Sequence, residues 1–435
     1  MRFLPVLALT SSLACSTPSL PSPTTAQPDA SSNAKTEAQS SPVEAFATAA
    51  CEGRLQEAHD LLDTEEGRDG FETKWNGLID AFGPCSGLAA VDSSHDGTVT
   101  RLFFTFGGVL VPLRALRTEE GRLTSLRWMD WRPNPKADLS GFHEEALALP
   151  GEAWPLSATV TLPEDPRAWV VLVHGSGPHD RDERLGPNRP FRDIAWGLAA
   201  HGIATLRYDK RTFVHPAALA EVEASVGVRE VVVEDAVRAA TAAHELAGGA
   251  PVYLAGHSLG GHVLPWIASE VPSCAGVVLL AANISPLASL IPVQAEYLAN
   301  LDGELSVAER AQLALVRNMS TRIAALDGST PGSTMGAPNR FWADLNGNNP
   351  ADGLKGAGKR ALLMFGERDY QVPLSEAGKW KKALGETPAT FVQIPGVNHM
   401  FMLGEGTPGP DEYKRLGHVD AAAIDAIATF VLDES

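Results

Sequence analysis

Six short runs of almost unbroken apolar residues mark the C-terminal two thirds of this 435-residue chain. They are Trp169–Val173, Ile203–Tyr208, Val252–Ala255, Val277–Leu280, Ala361–Phe365 and Thr390–Ile394, with helical stretches such as Val232–Leu246 between most of them. A strand that alternates apolar and polar residues has one wet face; a continuous apolar run has none. The pattern therefore predicts an α/β architecture, a parallel sheet covered by helices on both faces, over residues 137–433. In such sheets chemistry gathers at the carboxyl ends of the strands. Residues 284–358 break the rhythm with helical patterns such as Ala308–Leu326 followed by Gly/Pro/Asn-rich loops. An excursion of this length is either a helical lid over a site or a structural elaboration.

Ahead of this region the periodicity is different. Val43–Ala50 and Leu55–Leu62 read as amphipathic helices, and Thr98–Phe106 and Gly108–Leu113 as strands. Helices followed by strands predict a small α+β accessory domain over residues 42–132. Residues 15–41 carry Ser, Thr, Pro, Ala and Gln without apolar periodicity and read as a disordered linker. Residues 1–14 hold one positive charge and then an apolar segment too short to span a bilayer, the form of an export signal. Ser12-Leu13-Ala14-Cys15 resembles a bacterial lipoprotein cleavage site, which implies a cell-envelope protein tethered to the membrane through a lipidated Cys15; an ordinary signal peptide is the other reading.

Composition narrows the picture. A 44% apolar and 20% charged chain is that of a globular protein. With 35 basic against 53 acidic residues, the formal charge of -18 argues against nucleic acid as a partner. No Cys or His spacing is that of a metal site, and the sequence predicts no cofactor. Cys51 and Cys85 are candidates for a disulfide in an exported protein, and Cys274 reads as a buried small residue.

The chemistry starts at Gly256-His257-Ser258-Leu259-Gly260, directly behind an apolar run. G-x-S-x-G at a strand-to-helix turn lifts one serine hydroxyl into a cleft, and its glycines let strand and helix approach closely. Five residues alone are equally a structural turn. Context supplies partners: Asp369 follows the 361–365 run and His399 follows the 390–394 run. Ser, Asp, His in that order gives a nucleophile, an orienting acid and a general base. Glu367 competes with Asp369, and His418 is a weaker alternative base. His174-Gly175-Ser176-Gly177 behind the 169–173 run predicts an oxyanion hole from the backbone N–H groups of Ser176 and Leu259.

Longer motifs carry a resemblance. His174-Gly175-Ser176-Gly177-Pro178, Asp180-Arg181-Asp182, Pro190-Phe191-Arg192-Asp193, Arg207-Tyr208-Asp209-Lys210-Arg211, Gly256-His257-Ser258 and Gly366-Glu367-Arg368-Asp369-Tyr370-Gln371-Val372 resemble the bacterial EstD-type esterases. These are α/β-hydrolases akin to the serine-aminopeptidase and dienelactone-hydrolase groups. The resemblance implies an α/β-hydrolase fold, Ser258, Asp369 and His399 as the triad, and a small-molecule acyl ester as substrate. It also implies a structural, loop-bracing role for Asp180, Asp182 and the Asp209-Lys210-Arg211 charges. The 42–132 region resembles a small domain of unknown function found ahead of bacterial secreted hydrolases, with an NTF2- or cystatin-like shape. Peptidase or acyl-aminoacyl hydrolase and lysophospholipase are alternative activities; a non-catalytic envelope binding protein is a further one.

Overall fold

All six apolar runs are strands of one sheet in the computed structural model, which describes residues 42–433 apart from 65–66, 83, 94–98, 107–108, 119–121, 129–140, 150, 152–153 and 223–225. The export signal, Cys15 and the linker lie outside the described residues. The chain divides into two compact units at the 135/136 boundary.

In the smaller unit, α1 (Pro42–Cys51), α2 (Leu55–Asp60) and α3 (Arg68–Phe82) precede four strands, β1 (Cys85–Ser93), β2 (Val99–Phe106), β3 (Val109–Arg117) and β4 (Leu123–Trp128). The strands form an antiparallel sheet in sequential order. Its core is aromatic: Phe46 and Trp75 from the helices meet Phe104 of β2 edge-on. Cys51 and Cys85 are joined, tying the end of α1 to the start of β1.

The larger unit opens with β5 (Phe142–Leu149) and β6 (Leu156–Pro163), then β7 (Ala168–Val173), α4 (Pro190–Ala200), β8 (Ile203–Tyr208), α5 (Arg211–Val214) and α6 (Pro216–Glu221). A π-helical turn at Arg229–Val233 leads into α7 (Glu234–Leu246), β9 (Val252–His257), α8 (Leu259–Glu270) and β10 (Gly276–Leu280). The excursion follows: α9 (Leu287–Ala299), α10 (Val307–Ala324), the short hairpin β11 (Ser333–Thr334) and β12 (Ala337–Pro338), α11 (Asn339–Gly347) and α12 (Pro350–Ala357). The chain ends with β13 (Arg360–Gly366), α13 (Ser375–Leu384), β14 (Thr390–Ile394) and α14 (Ala421–Leu432).

The sheet order is β14-β13-β10-β9-β7-β8-β6-β5. The strands from β14 to β8 run parallel, and β6 and β5 add an antiparallel edge. Strands β7, β8, β9 and β10 are buried at every residue, as continuous apolar runs require. Separate apolar layers fill each face. Val171, Leu254 and Leu279 belong to one, with α7 and α8; Val170, Ala255 and Val278 belong to the other, with α4 and α14. Within the excursion, α10 is started by a capping box between Ser306 and Glu309. Its last helix, α12, lies against α8, where Gly353 faces Pro265.

Candidate active site

Ser258 sits between β9 and α8 at φ 51°, ψ -115°, a left-handed region that a residue with a side chain rarely occupies. Two close backbone approaches hold it there. A Cβ on Gly256 would lie 2.6 Å from the Gly260 carbonyl carbon, and one on Gly260 would lie 2.4 Å from the Val173 carbonyl oxygen. Both glycines are therefore steric necessities of the turn. The Ser258 N–H donates to the Leu280 carbonyl at 2.8 Å, and its own carbonyl accepts from the His262 N–H. The backbone is fixed on both sides while the side chain is left for chemistry.

Asp369 follows β13 and His399 follows β14, both buried. The His399 Nδ1–H donates to Asp369 Oδ2 at 2.7 Å. The other Asp369 oxygen accepts from the Gln371 and Val372 N–H groups at 2.8 and 2.9 Å. The carboxylate is thus held at both oxygens, which fixes its orientation toward the imidazole. Asn398 pins the base loop by accepting from Met400 and Met402 N–H. Glu367 instead accepts from the Gly396 N–H, and His418 pairs with Asp193; neither joins the constellation. Among the described residues the Ser258 hydroxyl makes no hydrogen bond to the His399 ring. Catalytic hydrogen bonds often tighten only once substrate is bound.

Ser176 follows β7 on the neighbouring loop. A Cβ placed on Gly175 would lie 3.2 Å from Ser258 Cβ, so this loop abuts the serine. The N–H groups of Ser176 and Leu259 have no protein acceptor among the described residues. Leu259 is the first residue of α8, and a helix N-terminus favours negative charge. No group of three His, Cys, Asp or Glu side chains is gathered as a metal site among the described residues.

Two residues behind the site escape sequence reasoning. Glu183, held at φ 50° and 1% exposed, accepts from the Gly175 N–H through Oε1 at 2.6 Å. Its Oε2 faces His257 Nδ1 at 3.0 Å, a charge contact rather than an aligned hydrogen bond. His257 Nε2 donates to the His399 carbonyl at 3.0 Å. One buried pair therefore ties the Gly175 loop, the Ser258 turn and the His399 loop together. Burial raises the Glu183 pKa, but the His257 charge outweighs it and holds the carboxyl at about 2. Burial likewise lowers His257, and Glu183 more than reverses it, leaving the imidazole above its ordinary value. Glu183 follows Asp180-Arg181-Asp182, a run whose two aspartates read on sequence as loop braces while Glu183 itself has no assigned role. His257 occupies a variable position of its motif, so neither carries a signal.

The expected loop braces have separate partners. Asp182 pairs with Arg192 at 2.7 Å and with Arg207. Asp180 accepts the His174 Nε2–H through its carbonyl at 3.1 Å. Asp209 takes Arg181 at 2.7 Å, and Arg211 takes Asp235 at 2.6 Å. Lys210 reaches the Gly175–Ser176 peptide directly, donating to the Gly175 carbonyl at 2.6 Å.

A profile described as the alpha/beta hydrolase family matches residues 170–413. The chain is 36% identical over 298 residues to Esterase EstD of Thermotoga maritima, which covers 68% of this chain and 69% of that protein. Among solved structures it is similar to Est1E from Butyrivibrio proteoclasticus, at 18% identity and TM-score 0.40 over 66% of this chain and 97% of that one. The dienelactone hydrolase from Anabaena variabilis gives 16% identity and TM-score 0.38 over 67% and 95%.

Proposed function

Because this chain belongs to the alpha/beta hydrolase family, we propose that it cleaves short acyl esters through a Ser258–His399–Asp369 triad and an acyl-enzyme intermediate. The chain is a carboxylic ester hydrolase, the activity class of its esterase relative. The observation that carries the mechanism is the Ser258 turn. A serine held at φ 51° by two glycine contacts costs conformational energy, and its loop neighbours include a hydrogen-bonded Asp–His pair.

The steps follow from the groups in place. His399 Nε2 takes the Ser258 proton as Oγ attacks the acyl carbon, and the Asp369 bond keeps Nδ1 protonated so that Nε2 is the basic nitrogen. The carbonyl oxygen becomes an oxyanion between the Ser176 and Leu259 N–H groups. Collapse expels the alcohol, which receives its proton from His399. Water then attacks the acyl-enzyme with His399 again as base, releasing the carboxylic acid and restoring Ser258. The same proposal places the protein in the bacterial cell envelope, with Cys15 as the lipid attachment.

Ser258→Ala should lower p-nitrophenyl acetate turnover by on the order of 10⁶ with the fold intact. An ester and aminoacyl-anilide panel on the unmutated protein distinguishes esterase from peptidase: faster turnover of the anilides overturns the short-ester assignment.

A further inference from the structure

Lys210 is 4% exposed, and among the described residues its ammonium makes one hydrogen bond, to the Gly175 carbonyl at 2.6 Å. Among the described residues no carboxylate lies within ion-pairing distance of it. Asp209 beside it is taken by Arg181, and Asp235 by Arg211 and Arg238. An ammonium buried without a direct counter-ion is costly, and an apolar chain of the same length would avoid that cost. The fold keeps the charge on a carbonyl of the oxyanion loop.

The geometry of that peptide says what the charge does. A trans peptide is planar, with its C=O and the following N–H pointing in opposite directions. Lys210 holds the C=O of the Gly175–Ser176 peptide, so the Ser176 N–H is directed away from the lysine. The preceding peptide is held by Glu183 through the Gly175 N–H. Hydrogen bonding to a carbonyl also draws electron density from its amide and strengthens the N–H as a donor. We infer that Lys210 is a positioning residue of the oxyanion hole, its buried ammonium fixing and polarising the peptide that presents the Ser176 N–H to the developing oxyanion. The inference rests on the reading of Ser258 as nucleophile and Ser176 N–H as oxyanion donor.

The test uses the full chain, p-nitrophenyl acetate as substrate and n-propylboronic acid as a tetrahedral adduct former. Active sites are counted with a fluorophosphonate. Lys210→Met should lower kcat per labelled site by roughly 10–100-fold, short of the 10²–10³ typical for deleting a direct oxyanion donor. KM should move by less than about threefold, and boronate affinity should fall in step with kcat. Lys210→Gln, a neutral donor, should lie between. A kcat per site within about twofold of the parent in both variants overturns the inference, as does a fall in kcat with unchanged boronate affinity. Failure of the fluorophosphonate to label Ser258 in the unmutated protein instead overturns the nucleophile reading.

If neither variant folds, the unmutated protein decides. Burial lowers the Lys210 pKa to about 8, with Glu183 and Asp235 opposing and His174 and His179 nearby. As pH rises through that value the ammonium loses its charge, so kcat should fall with KM unchanged. A flat kcat from about pH 7 to 9.5 overturns the inference.

Discussion

Glu183→Ala tests the brace that holds the three site loops in register. The carboxylate is buried, accepts the Gly175 N–H at 2.6 Å and faces His257 at 3.0 Å. Its pKa of about 2 against an ordinary 4.5 corresponds to roughly 3 kcal/mol of preference for the charged form at neutral pH. That contribution is complete above pH 4.5 and is lost as pH falls through about 2. Deleting one partner of a buried pair typically costs 3–5 kcal/mol, the same magnitude. For a unit of this size that is a fall in Tm of roughly 5–8 °C by differential scanning calorimetry. Turnover of p-nitrophenyl acetate should fall by about 10²-fold, because the Gly175 N–H and the His257–His399 contact both lose their support. Glu183→Gln should cost less than half as much stability, since its amide oxygen can still accept from Gly175. A Glu183→Ala protein melting within about 2 °C of the parent would refute the reasoning, because a buried pair cannot vanish at that cost.

Gly260→Ala places a methyl 2.4 Å from the Val173 carbonyl and 2.6 Å from the His174 carbonyl. Overpacking against backbone should cost roughly 1–3 kcal/mol by denaturant titration and at least about tenfold in kcat; a kcat within about twofold of the parent contradicts the close approach. Acid should weaken the larger unit. Burial holds the His174 pKa at about 3, so the unfolded chain takes up a proton near pH 6.5 that the folded one refuses. Stability should therefore drop by up to roughly 3 kcal/mol between pH 6.5 and 4, partly offset by His257; urea titrations showing a rise over that range refute it. Cys51→Ala/Cys85→Ala opens a loop of 34 residues and should cost the smaller unit about 3–4 kcal/mol. Ester kcat should remain unchanged, and its loss in a folded variant would give the smaller unit a catalytic part.

The parallel half of the sheet was legible because burial on both faces leaves a mark in one dimension. β7, β8, β9, β10, β13 and β14 coincide with the six apolar runs. β5 and β6 left no such mark. They form the antiparallel edge, where Glu144 and Glu145 of β5 pair with Thr161 and Val160, and β6 itself carries half-buried Ser157 and Thr159. The helix α3 carries buried Phe71, Trp75 and Leu78 at helical spacing, but two interior glycines, Gly70 and Gly77, interrupt its helical signal. Ser258, Asp369 and His399 stood out because each follows an apolar run, and a strand's end is visible in sequence. Glu183 and His257 did not, since their roles depend on long-range contacts between loops. A charged residue in a loop reads as solvated until the fold buries it. The Asp209-Lys210-Arg211 cluster lay between these cases: its bracing role was legible, but not that only Lys210 reaches the Gly175 carbonyl.

The central claim is that Ser258 is the nucleophile of an esterase. It is tested most directly by reacting the full-length protein with a fluorophosphonate and locating the adduct by peptide mass spectrometry. The account predicts one adduct per chain, on Ser258, formed in step with loss of p-nitrophenyl acetate hydrolysis and slowed by at least about 10³-fold in His399→Ala. Complete inactivation with the adduct on any other residue, or esterase turnover that survives full labelling of Ser258, would contradict it.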